Sequence, residues 1–94
     1  LGCKVIVVLG HTNCGAVGAT IGGGAEGFTK VLTDEIKKAI GDENDDYMAC
    51  GLNVQYGVDR INEVLKDNPE VNLDEVDVLG AIYNIKSGNV EWIP

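Results

Sequence analysis

Basic residues are scarce in this chain. Seven Lys and Arg stand against fifteen Asp and Glu, for a formal net charge of −8 at pH 7. Nucleic acids and anionic membrane surfaces are gripped by basic patches, so neither is expected as a partner. Long apolar runs are also missing. A membrane-spanning helix needs roughly 18 or more apolar residues in a row, and the longest run here is Val5 to Leu9. The opening residues carry neither the n-region nor the h-region of an export signal. The three cysteines make an odd number, which argues against a disulfide framework. The expectation is reduced thiols in a cytoplasmic setting. There is no Cys-x-x-Cys, which removes the common dithiol redox motif, and there is no internal repeat.

What is present is an ordinary globular composition, 45% hydrophobic and 23% charged, which sets disorder aside. Ninety-four residues make a single domain, 1–94, with a modest core and marginal stability on its own.

Lys4 to Leu9 is continuous and β-branched, the pattern of a strand buried on both faces in a parallel sheet. Gly10 ends it. A short helix is predicted from near Gly15 through AVGATI, and the glycine-rich Gly22 to Gly27 breaks the chain. FTKVLTDEIKKAI is the next helix. Its Phe28, Val31, Leu32, Ile36, Ala39 and Ile40 form one apolar stripe, and Lys37 and Lys38 complement its C-terminal dipole. GDENDDY reads as a solvated acidic connector; the ligand spacing of a calcium loop is absent. A third helix spans roughly Ala49 to Lys66, with Val54, Val58, Ile61 and Leu65 as its core stripe and Asn68-Pro69 as its stop. Val76 to Ile85 reads as a second buried strand, Lys86 to Asn89 as a turn, and VEWI as a short antiparallel return.

The fold class is therefore α/β: an open sheet with a parallel core, in the order strand, helices, strand, hairpin, with helices packed on it. Two parallel strands do not make a stable open sheet. The first strand should have a neighbour that this sequence does not supply.

Ligands of open α/β sheets sit beyond the carboxyl ends of the strands, and His11 and Cys14 fall there. His-x-x-Cys in a turn lets an imidazole nitrogen and a sulfur face one centre, and zinc accepts both in tetrahedral geometry. The adjoining helix N-terminus favours a negatively charged ligand atom. Gly10 and Gly15 would let the backbone pass close to a metal. Taken bare, the motif is common by chance, and a half-buried histidine with a packed cysteine is the plainer reading. Only two ligands are visible, whereas zinc wants four, or three and a water. Cys3, eight residues before His11 along an extended strand, lies roughly 26 Å away at about 3.3 Å per residue. Cys50 reads as a small buried hydrophobe. Any further ligand must come from elsewhere.

The stretch VIVVLGHTNCGAVGAT, Val5 to Thr20, resembles the β-class carbonic anhydrases, which carry a strand ending in Gly-His-x-x-Cys-Gly before a helix that opens with small residues. LNVQYGVDRI, Leu52 to Ile61, is similar to the family's helix with its Asn-Val. VLGAIYNIKSGNVEWI, Val78 to Ile93, is similar to its late strand and hairpin, with Asn84 at a common aspartate position. The resemblance implies a zinc site with His11 and Cys14 as two ligands. It also implies a further cysteine ligand from an upstream Cys-x-Asp-x-Arg segment whose Asp–Arg pair gates the fourth metal position. Cys3, Cys14 and Cys50 are followed two places on by Val5, Ala16 and Leu52, so none of them opens such a segment. Arg60 follows Asp59 within a helix and reads as a solvated charge. The chain is thus expected to correspond to the later half of the family domain, as a truncation, with an upstream part outside this sequence, or as a natural short form. The catalytic groups beyond the ligands are unknown.

The implied activity is zinc-dependent reversible hydration of carbon dioxide to bicarbonate and a proton. One alternative is a non-catalytic homologue with a metal-binding or assembly role. Another is the same zinc chemistry on carbon disulfide or carbonyl sulfide. Family members are dimers or larger, so a homodimer or higher oligomer is implied, and an open strand edge points the same way.

Overall fold

The β-branched run after Lys4 forms β1, Val5–His11, two residues longer than its apolar stretch. A computed structural model, which describes residues 2–93, continues with α1 (Gly15–Gly22), α2 (Phe28–Ile40) and α3 (Asp46–Lys66). A 3-10 turn at Leu73–Glu75 then leads into β2 (Asp77–Tyr83) and β3 (Val90–Ile93). The sheet order is β1-β2-β3. β1 and β2 are parallel, in register from Val5 opposite Asp77 to His11 opposite Tyr83. β3 returns antiparallel to β2. The predicted α/β order and the hairpin are both present. As expected, one edge of β1 has no neighbouring strand among the described residues.

One face of the sheet is covered by α3. Cys50, Val54 and Val58 pack with Ile82 and against Val8, Val78 and Ile93. The helix lies unusually close. A Cβ on Gly10 would sit 2.6 Å from Val54 Cγ2, and one on Gly80 2.9 Å from Val54 Cγ1. These two glycines admit the helix, and larger residues would push it away. A second cluster, Val17, Ile40 and Ala49, joins α1, α2 and α3 beyond the sheet, with Cys14, Ile21, Ile36 and Ala39 around it.

The other face differs from the sequence expectation. β1 alternates between exposed and half-buried residues, with Leu9 57% and Trp92 of β3 60% exposed. No described element packs there, so the strand expected to be buried on both faces is covered on one. The α2 stripe is corrected as well. Thr33 and Ile40 are the residues it buries, whereas Phe28 is 95% exposed and Val31 and Leu32 also face solvent. Only the later turns of α2 reach the second cluster.

α3 starts at Asp46, three residues before the predicted Ala49. Asp45 is its N-cap and accepts a 2.9 Å bond from the Met48 N–H, satisfying one orphan donor of the first turn. Part of the acidic connector is thus the start of a helix. β2 stops at Tyr83, two residues before the predicted Ile85. The Asn84 N–H still donates to the Asn89 carbonyl, while its side-chain oxygen accepts from the N–H groups of Lys86 and Ser87 and shapes the turn. Gly88, at φ +76°, completes the turn by donating to the Asn84 carbonyl, in the left-handed region open to glycine.

Candidate metal centre

β1 delivers His11 to the carboxyl end of the parallel pair, beside Tyr83. The chain turns through Thr12 and Asn13, and Cys14 becomes the N-cap of α1, without a side-chain capping bond. Asn13 takes φ +54°, a conformation uphill for most side chains but one that asparagine tolerates.

Bonds from two sides hold this loop. From the sheet side, the Thr12 N–H donates to the Tyr83 carbonyl at 3.0 Å, and the Ile85 N–H donates to Thr12 Oγ1 at 3.1 Å. From α3, Asp46 Oδ2 accepts from the Asn13 N–H at 3.0 Å. One helical turn further on, Cys50 Sγ donates to the His11 carbonyl, also at 3.0 Å.

The two predicted ligands differ in surroundings: His11 is exposed, whereas Cys14 packs against the cluster of Val17, Ile40 and Ala49. His11 Nδ1 lies 3.0 Å from the Thr12 carbonyl. A carbonyl only accepts, so Nδ1 is the donor in this contact. A backbone carbonyl on the second ring nitrogen is the usual way a metal-binding histidine is fixed. Cys14 is half-buried with a free thiol. An imidazole nitrogen and a sulfur on one loop fit zinc by chemistry, as two of its ligands.

Other candidates lie elsewhere or have other work. Cys3 is exposed near the opposite end of β1 and donates to the Val5 carbonyl. Cys50 is buried, as expected. Desolvation, followed by the Asp46 carboxylate and Cys14, pushes its thiol pKa up, so it serves as a neutral donor. Arg60 is exposed on α3. Gly10 is explained by the close approach of α3, while a Cβ on Gly15 would meet open space. Among the described residues no group of three or more His, Cys, Asp or Glu is assembled to hold a metal.

Sequence reasoning missed the roles of Asp46, Cys50 and Thr12. An acidic doublet before an apolar helix is a start signal, so the cap was readable. That Asp46 reaches a loop 33 residues away was not.

The fold and the loop together place an imidazole and a thiol at the carboxyl end of a parallel strand pair, and comparison gives the family. The family model for carbonic anhydrase matches residues 1–90. Solved structures with the same fold include a tetrameric β-carbonic anhydrase from Sordaria macrospora, at 20% identity and TM-score 0.67, over 96% of this chain and 52% of that one. The β-carbonic anhydrase CafD of Aspergillus fumigatus, in a mutant form, aligns at 16% identity and TM-score 0.70, over 97% and 57%. CafA of the same fungus aligns at 19% and 0.66, over 96% and 48%. No curated protein matches the chain. The chain belongs to the β-class carbonic anhydrase family. It spans about half the length of the solved structures it matches.

Proposed function

We propose that this chain carries half of a zinc site for the reversible hydration of carbon dioxide, with His11 Nε2 and Cys14 Sγ as ligands. The observation that carries the reading is the loop itself. It presents an imidazole whose Nδ1 faces a backbone carbonyl and a free thiol at the carboxyl end of the parallel strands. Zinc, when bound, supplies a Lewis acid that lowers the pKa of water towards about 7. The chain's own part is to hold the two donors. The Thr12 carbonyl orients the ring through Nδ1, and the bonds to the backbone of Thr12 and Asn13 keep the turn from opening.

The remaining ligands come, on this reading, from protein atoms outside these residues. The free edge of β1 supports it. A further parallel strand laid there would bring its own carboxyl end beside His11. The exposed apolar face and the open edge likewise support assembly into at least a dimer, since neither is a stable surface for a monomer.

A second reading, a homologue that binds metal weakly and supports assembly without catalysis, draws on the lack of a third ligand among the described residues. Zinc content and stopped-flow hydration of carbon dioxide, measured together on the chain and on its Cys14→Ser variant, separate the two. Zinc and activity both lost in the variant support the enzyme. Zinc bound by the parent without hydration supports the second reading. Zinc uptake indifferent to both His11→Ala and Cys14→Ser contradicts both. Carbon disulfide and carbonyl sulfide in the same panel test the sulfur substrates.

A further inference from the structure

The His11–Cys14 loop is held from the sheet by backbone atoms, but from α3 by two side chains. Asp46 and Cys50 are four residues apart and so share one face of the helix. That face meets the loop at two points: Asp46 Oδ2 takes the Asn13 N–H at 3.0 Å, and Cys50 Sγ gives its proton to the His11 carbonyl at 3.0 Å. Both contacts join segments more than thirty residues apart. One falls on the backbone of Asn13, between the two donors, and the other on the backbone of His11 itself. We propose that Asp46 and Cys50 are positioning residues: they clamp the loop so that His11 and Cys14 converge on one metal ion. The proposal rests on the metal reading above.

The physical case is that the loop needs restraint. Asn13 sits at φ +54°, a conformation that asparagine tolerates but that a contact to its backbone holds in place. Its N–H is held by a carboxylate, and a charge-assisted bond is stronger than a neutral one. The His11 carbonyl lies on the residue after Gly10, where α3 comes closest to the sheet. The Cys50 thiol, buried there, is placed to satisfy it. Release of either contact lets the turn relax, and the sulfur and imidazole nitrogen lose their common centre. Asp45, next door, makes a different contact: it caps Met48 inside α3 and does not touch the loop.

That difference supplies the test. Cobalt(II) is titrated into the chain and into Asp46→Ala, Asp46→Asn, Asp45→Ala and Cys50→Ser, read by thiolate-to-cobalt charge-transfer absorption. Exchange of the Asn13 amide with deuterium is followed without metal. Loss of a residue that orients ligands typically weakens metal binding by about 10–100-fold, and Asp46→Ala is expected in that range. Asp46→Asn, which keeps an acceptor oxygen, recovers most of the affinity, and so does Cys50→Ser, which keeps a donor. Asp45→Ala lowers thermal stability but leaves cobalt affinity and Asn13 exchange as in the parent. Equal cobalt affinity in Asp46→Ala and the parent overturns the proposal. So does an equal loss in Asp45→Ala, which would make the effect one of helix stability. A parent chain that binds no cobalt overturns the metal reading; Asn13 exchange then still decides the clamp, which fails if Asp46→Ala leaves it unchanged.

Discussion

Replacing Gly10 by alanine puts a methyl group where α3 already stands. The new carbon would lie 2.6 Å from Val54 Cγ2 and 3.1 Å from Cys50 Sγ. Carbon atoms pack best at about 3.5–4.0 Å, so the shortfall at Val54 is about 1 Å. Val54 is nearly fully buried and β-branched, with few alternative rotamers. The helix must therefore move. Overpacking of this kind costs about 1–3 kcal/mol, offset by about 0.4–1 kcal/mol from the stiffer unfolded chain. The net loss is about 1–2 kcal/mol, a large share of the roughly 5 kcal/mol available to a small domain. Urea unfolding followed by far-ultraviolet circular dichroism reads it. Gly10→Ala should lower the midpoint, and Gly10→Ala combined with Val54→Ala should cost less than the two single changes together, by about 0.5–3 kcal/mol. Unchanged stability in Gly10→Ala, or strict additivity in the pair, would show that α3 does not press on this glycine.

Other expectations follow from single contacts. Tyr47 donates to the Glu91 carboxylate, and that bond is the main reason its pKa is raised. The folded chain holds a proton that the unfolded chain releases, so this contribution is complete below the unfolded pKa and disappears as pH rises through the folded one. Glu91→Gln should bring the tyrosinate absorbance of Tyr47 in at lower pH. Cys50, with its thiol raised by burial, should resist alkylation in the native chain while the exposed Cys3 reacts; equal rates would contradict the packing of α3. Leu9→Glu, on the open apolar face, should reduce self-association in light scattering. A parent chain running only as a 10.0 kDa species would refute the assembly reading. Asn84→Ala removes the acceptor for two backbone N–H groups and should destabilise by about 1 kcal/mol.

The parts of the fold that were legible are those written in short-range patterns. The β-branched run before Gly10, the Asn68-Pro69 stop of α3 and the glycine turn before VEWI each depend on residues a few places apart. The His-x-x-Cys pair was legible for the same reason, since one turn carries both donors. What escaped depends on distance. Phe28, Val31 and Leu32 have helical spacing, but spacing does not say whether a neighbour exists, and here α2 reaches α1 and α3 only by its later turns. Val5, Val7 and Leu9 read as doubly buried because their apolarity was taken as evidence of cover, yet the described chain covers one face. For Gly10, sequence points to close backbone approach, and only the fold shows that α3, through Val54, is a neighbour that requires it. Asp46 and Cys50 were read locally, as a solvated acid and a core thiol, although each bonds to a loop that sequence distance hides.

Zinc-edge X-ray absorption on the metal-loaded chain bears most directly on the shared site of His11 and Cys14. The account predicts a sulfur at about 2.3 Å and an imidazole nitrogen at about 2.0–2.1 Å, with the sulfur scattering lost in Cys14→Ser and the imidazole signal lost in His11→Ala. A coordination shell of oxygen alone, or a sulfur that persists in Cys14→Ser, would contradict it.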